Sequence, residues 1–542
     1  MSQQTRGAIA AGHPQVVEAG LNIFRMGGNA FDSAVAAMLA SCVAEPGLTS
    51  LAGGGFLLAH TKENQNMLFD FFSQTPRQKR PVSDVDFHAI DVDFGITTQQ
   101  FHVGLGSVAT PGTLAGIVHV HQRLGRLPFT EVIVPALELA RNMAAEVNDF
   151  QAYCCHILRA ILLASDEMRQ VLAPTGTLVT AGDRIVMPQW ANTLEYLAQE
   201  GAQAFYGGDI GRQLIHDCHE QGGYLTREDL AHYHVIERSP LTITYRGHTL
   251  LTNPPPSSGG ALIAFSLRIL EQMSLADITF GSQHHIQQLS SVMQVTNQAR
   301  AQGYDQQLYQ PDVLDRFLSD DAMHHYGQHL AHLGQSPSTP HSSTLNKWGS
   351  TTHISVVDAE GNAASVTASN GEGSSYVIPG TGIMMNNMLG EADLHPNGFH
   401  QWVKNQRISS MMAPTIMLKN GRPELVLGSG GSNRIRTAIV QVVSNLLDFQ
   451  MPVEQAIRAP RMHWENGVFN LEPGFDAVER AASSEPSLED THQSAFPFDG
   501  EVIAWEQPSM FFGGVHAVKK MPDGTLTGAG DRRRGGAFGV IE

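Results

Sequence analysis

From position 352 the chain alternates. Thr352, Ile354 and Val356 fall on one side of an extended segment, and His353, Ser355 and Val357 on the other. This is the period-two pattern of a β-strand. Asp358-Ala359-Glu360-Gly361-Asn362 has the composition of a turn, and residues 363–368 read as a returning strand. The pair predicts a buried hairpin with Thr351 at its entrance. Upstream, 16–25 reads as a helix that stops at Gly27-Gly28. Asn29 then opens a second helix over 30–43, whose alanines (Ala34, Ala36, Ala37, Ala40) suit close packing on a sheet.

Gly53-Gly54-Gly55 leads into an apolar strand at 56–59, and 67–72 reads as another. No Lys-Ser or Lys-Thr follows the glycines, so close backbone packing is preferred to phosphate binding. Residues 135–143 form a further helix, and 150–250 read as mostly helical. Pro254-Pro255-Pro256-Ser257-Ser258-Gly259-Gly260 is a stiff loop before a helix at 261–272. The stretch 281–335 is helical and rich in His and Gln. His325 and His329 share a face there, but no third ligand accompanies them, so a solvated face is expected and no metal site. Two polar stretches, 334–348 and 481–493, read as mobile connections.

Composition narrows the function. The 542 residues carry a net charge of −18, which argues against a nucleic-acid partner. No apolar run is long enough to span a membrane. The first residues lack the basic and apolar regions of a secretory leader, so a cytoplasmic location is expected, or an exported one if a leader was removed. The four cysteines, Cys42, Cys154, Cys155 and Cys218, show no ligand spacing and read as small buried apolar residues.

The candidate chemistry sits at Ser350-Thr351. A threonine hydroxyl is a weak nucleophile without a base, and its own α-amine can serve once the preceding peptide bond is broken. Taken alone, Ser350-Thr351-Thr352 is ordinary strand-entry composition. The motifs that follow change that weighing: Gly349-Ser350-Thr351-Thr352-His353-Ile354-Ser355-Val356-Val357-Asp358, Gly361-Asn362-Ala363, Gly380-Thr381-Gly382-Ile383-Met384-Met385-Asn386-Asn387, Arg407-Ile408-Ser409-Ser410-Met411 and Gly428-Ser429-Gly430-Gly431-Ser432. In this order and spacing they resemble the γ-glutamyltranspeptidase family of N-terminal-nucleophile (Ntn) hydrolases, over nearly the whole chain.

The resemblance implies an α/β (α+β) fold, a four-layer αββα sandwich with a helical periphery. It implies self-cleavage at Ser350–Thr351 into segments 1–350 and 351–542, which stay together as a heterodimer and form one Ntn-hydrolase body, alone or in a higher oligomer. Thr351 would be the nucleophile and Ser369 a hydroxyl contacting it. Gly430, Gly431 and Ser432 would supply the oxyanion donors, as either Gly430/Gly431 or Gly431/Ser432. Asn370, Glu391, Ser409 and Ser410 would contact substrate. No metal or organic cofactor is implied. The substrate implied is a small γ-glutamyl amide such as glutathione, hydrolysed or transferred through an acyl-enzyme.

One departure bears on that substrate. Where the family often carries an arginine that clamps the glutamyl carboxylate, this chain reads Asp70-Phe71-Phe72-Ser73, with Phe72 at the arginine position. A phenyl ring makes no bidentate contact with a carboxylate. Arg77, Lys79 or Arg80 would have to compensate. The alternative is an acylase or amidohydrolase of the same family acting on a different acyl group.

Overall fold

In the computed structural model, which describes residues 5–93, 98–330, 349–475 and 501–542, the alternating stretch is the strand Thr352–Asp358. It pairs antiparallel with Gly7–Ala11 on one side and with Ala363–Ser369 on the other. Gly54–His60, Asn66–Phe71 and Ile236–Arg238 extend the sheet beyond 363–369, and Ala537–Ile541 closes the opposite edge. A second, six-stranded sheet runs Leu526–Ala529, Gly514–Lys520, Arg422–Gly430, Thr415–Lys419, His248–Thr252 and Leu241–Tyr245.

The two sheets lie face to face. Strand 352–358 packs on strands 422–430 and 514–520. The helices Pro14–Arg25 and Ala30–Ala44 cover the outer face of the first sheet, and Ser258–Glu271 and Arg434–Leu447 that of the second. This is the expected αββα sandwich. Helices such as Pro188–Glu200 and Asp209–Gln221 form the periphery. No helix among the described residues is long and apolar enough to cross a membrane.

Alternation along 352–358 divides two cores. Ile354 and Val356 join the apolar cluster beneath the outer helices, and Val357 joins the cluster on the other side. The polar side faces the second sheet rather than water. His353 bonds Thr367 Oγ1 through Nδ1 (2.8 Å) and Ser355 Oγ through Nε2 (2.9 Å), while Ser355 Oγ donates to His516 O (3.0 Å) and Ser365 Oγ to Leu427 O (3.0 Å). Burial holds the His353 pKa well below the ordinary range, so the ring is neutral. Each buried polar atom here meets its own kind, which makes a polar interlayer tolerable.

Several elements depart from expectation. Residues 236–252 form three strands, Ile236–Arg238, Leu241–Tyr245 and His248–Thr252, not helix. The signal was local: Leu241-Thr242-Ile243-Thr244-Tyr245 alternates with β-branched residues, and the turn Arg246-Gly247 has positive φ at both positions (46° and 75°), as tight hairpins require. The strand Gly7–Ala11 and the hairpin His88–Asp93 with Thr98–Val103 were also not foreseen. The polar stretches 334–348 and 481–493, and the side chain of His329, lie outside the described residues.

The triple glycine is close packing. A Cβ on Gly53 would lie 2.4 Å from Ser369 O, one on Gly54 2.7 Å from Ser73 N, and one on Gly55 2.5 Å from Thr367 O. Gly53 therefore sets where residue 369 sits. Gly53→Ala is expected to cost about 1–3 kcal/mol in urea unfolding; wild-type stability in this variant would contradict the close-packing assignment.

Candidate active site

Thr351 ends a short linker that enters the sandwich between the two sheets. Three successive carbonyls there, those of Gly349, Ser350 and Thr351, are each met by a side-chain donor. Arg534 Nη1 donates to Gly349 O (3.2 Å) and Thr351 O (3.4 Å), and its Nη2 to Gly349 O (3.2 Å) and Met510 O (3.3 Å). Ser369 Oγ donates to Ser350 O at 2.5 Å. The same Oγ accepts the Gly371 N–H (3.0 Å), so its one proton is directed at the Ser350 carbonyl. Glu372 Oε1 accepts the Ser350 N–H at 3.4 Å.

Behind this linker the second sheet comes very close. A Cβ on Gly430 would lie 2.1 Å from Thr351 O, and one on Gly349 would lie 2.8 Å from Ser432 N. Gly430 sits in the sheet ladder opposite Gly514. Gly431 and Ser432 follow with φ of 125° and 49°, and Ser432 Oγ donates to Asp393 Oδ2 (2.6 Å). Gly430 thus lies in the ladder against Thr351 and Ser432 beyond it against Gly349, and of Gly430, Gly431 and Ser432 only Ser432 lines the neighbouring cleft.

A cleft of about 670 Å³, counted to its open mouth, runs along this junction. Among the residues singled out from the sequence, Ser350, Thr351, Ser369, Glu391, Ser409, Ser410 and Ser432 line it together. Asn370 does not: its amide nitrogen reaches back to the carbonyls of Met384 (3.5 Å) and Met385 (3.4 Å), and Gly371 and Glu372 hold the wall instead. The Asn370 Oδ1 is buried without a hydrogen-bond partner among the described residues.

Phe72 lines the cleft and stacks on Phe56 (5.6 Å between centroids, 24°). None of the three nearby cations reaches it. Arg80 Nη1 donates to the carbonyls of Cys218 and Gly223, Lys79 Nζ to His400 O above the Trp402 ring, and the Arg77 backbone to Asp229. Arg407 is closer but faces backward. Its Nη1 donates to Phe72 O and Tyr233 Oη and its Nη2 to His234 O.

The cleft wall is acidic. Glu372 is buried, Glu391 beside it is half-buried, and desolvation raises the pKa of both, well above the ordinary value for Glu391. Two carboxylates this close disfavour each other's ionised form. Below Thr351, Glu45 accepts the Thr352 hydroxyl at 3.1 Å on both oxygens. Burial pushes Glu45 up to about 8 and Arg534 down to about 10, so Arg534 stays cationic at pH 7. Among the described residues no group of three or more His, Cys, Asp or Glu is placed to hold a metal ion.

Sequence reasoning missed Glu45, Glu372, Arg300 and Arg534. Arg534 belongs to the run Arg532-Arg533-Arg534, which reads as a solvated basic turn. Folding instead buries it: Arg533 pairs with Glu472 (2.5 Å), and Asp531 with Arg461 (2.6 Å). Nothing local marks Glu45, a single carboxylate just after an alanine-rich helix.

Comparison with known proteins agrees with this geometry. The gamma-glutamyltranspeptidase family model matches residues 17–541. An "Acylase ACY 1 proenzyme" from Pseudomonas sp. (strain SE83) is 31% identical over 537 residues, covering 97% of this chain and 92% of the relative. A "Glutathione hydrolase proenzyme" from Escherichia coli (strain K12) is 30% identical over 557 residues, covering 97% and 90%. Among solved structures, a cephalosporin acylase from Bacillus halodurans superposes with a TM-score of 0.82 at 22% identity, over 99% of this chain and 96% of that one, a likeness of fold.

Glu45 has a pH signature. Its folded pKa of about 8 lies above the ordinary 4.5, so between those values the folded chain holds a proton that the unfolded chain has released. Stability from this group falls as pH rises through that window and levels off above it. Glu45→Gln removes the titration. Its unfolding free energy, measured by denaturant titration, is expected to decline less than that of wild type from about pH 5 to about pH 9. Parallel pH curves would contradict the burial assigned to this carboxylate.

Proposed function

Because the chain belongs to the gamma-glutamyltranspeptidase family, we propose that it is a self-cleaving N-terminal threonine amidohydrolase and acyltransferase whose donors are γ-glutamyl amides, glutathione among them. The observation that carries this reading is the Ser369 hydroxyl on the Ser350 carbonyl, beside the Thr351 side chain.

In the first reaction Thr351 Oγ attacks the Ser350 carbonyl carbon. Ser369 stabilises the developing charge on that oxygen, and Arg534 holds the carbonyls on either side in register. The peptide C–N bond breaks, the nitrogen leaves as the Thr351 amine, and the acyl group rests as an ester on Oγ. Water then hydrolyses the ester, giving segments 1–350 and 351–542. The segments would remain associated, because strands from the first (7–11 and 54–60) flank strands from the second (352–358 and 363–369) within one sheet.

In turnover the new α-amine takes the Thr351 hydroxyl proton as Oγ attacks the substrate amide. The backbone N–H groups of Gly431 and Ser432 receive the oxyanion, and the proton passes to the departing amine. The acyl-enzyme is released to water or to an acceptor amine. Glu391 would meet a substrate ammonium, and Ser409 and Ser410 a carboxylate.

Phe72 favours a second reading, in which the same machinery acts on an acyl group without the α-amino acid head. γ-Glutamyl-4-nitroanilide is expected to be turned over faster than glutaryl-4-nitroanilide, whereas equal rates would support the acylase reading. Thr351→Ala is expected to lower kcat/KM by more than about a thousandfold on whichever donor is preferred. Retention of activity in that variant would refute the nucleophile assignment.

A further inference from the structure

The cleft carries a cation that the proposed reaction leaves unused. The helix Gln283–Ala299 runs into the wider π-helical turn Arg300–Tyr304, where Gly303 leaves helical conformation (φ 154°). That turn puts Arg300 against the cleft. Asp305 holds Arg300 Nε at 2.8 Å and thereby fixes the plane of the guanidinium. Among the described residues neither Nη has a hydrogen-bond partner, and the side chain is about a fifth exposed (22%). Asp305 in this contact, with Glu465 and Asp393 at longer range, keeps it charged.

Hydroxyls gather beside it. Ser258 and Ser409 both line the cleft, with their Oγ atoms 3.4 Å apart. Tyr304, on the same turn as Arg300 and 3% exposed, brings its Oη beside Ser258, yet that oxygen completes no hydrogen bond of good geometry within the protein. A charged fork with two open amino groups, two serines and an unsatisfied buried phenol make a donor-rich pocket. Such a pocket matches a planar carboxylate.

We propose that Arg300, with Ser258, Ser409 and Tyr304, is the carboxylate-receiving end of this cleft, and that the preferred substrate is an amide whose acyl part carries a carboxylate. The inference rests on the amidohydrolase reading given above. It places the recognition cation on a helical turn of the same cleft that Phe72 lines.

The test has a binding arm and a turnover arm. By calorimetry, wild-type protein is expected to bind glutarate at least tenfold more tightly than butyrate, and Arg300→Met to lose that preference. This arm needs no turnover, so it stands even if the enzymatic reading fails. In turnover, glutaryl-4-nitroanilide is compared with butyryl-4-nitroanilide, and a butyryl amide of a carboxylated nitroaniline probes the leaving-group side. Arg300→Met is expected to raise KM for the glutaryl donor roughly ten- to a hundredfold, and Tyr304→Phe a few-fold in the same arm. Loss confined to the carboxylated leaving group would overturn the acyl-side assignment. An unchanged glutarate preference in Arg300→Met and in the milder Arg300→Lys, both folded by thermal melt, would overturn the proposal.

Discussion

A linker of three residues threaded between two β-sheets gives up water along much of its length, and each carbonyl it brings in needs a donor. Here the oxygens of Gly349, Ser350 and Thr351 are met by Arg534, Ser369 and Arg534 again. Satisfying the backbone and, in the proposed self-cleavage, polarising the Ser350 carbonyl would therefore be the same act. The outer two carbonyls lie on one rigid guanidinium, and the middle one faces a hydroxyl whose other side is occupied by the Gly371 N–H.

The rest of the sandwich serves that geometry. Arg534 is buried, and an unsupported guanidinium in such a place is costly. Its supports come from the C-terminal segment. Asp531 pairs with Arg461 and accepts the Val515 N–H, and its pKa is held near 2 chiefly by Arg461 and Arg533 against the effect of burial. Glu45 lies on the far side. Glycines at 53, 349 and 430 remove the side chains that would otherwise keep the sheets and the linker apart.

Much of this was legible from spacing. The period-two run after Thr351 and the glycines at 53–55 each took the place their pattern implied. The strands at 236–252 were missed because a helical neighbourhood outweighed a short β-branched alternation. Arg300, Glu372, Glu45 and Arg534 were missed for a different reason. Each is a charged residue whose local sequence is that of a solvated surface, and only long-range packing brings it to the cleft or beneath it. Phe72 was legible as a substitution, and the structure adds that Arg407 stands behind it, committed to the Phe72 carbonyl.

The account turns on the bond between Ser350 and Thr351. N-terminal sequencing of the purified protein, under denaturing conditions, measures its fate directly. A second N-terminus beginning Thr-Thr-His-Ile-Ser is the predicted result. A single uncut chain in a preparation that hydrolyses amides at full rate would contradict it.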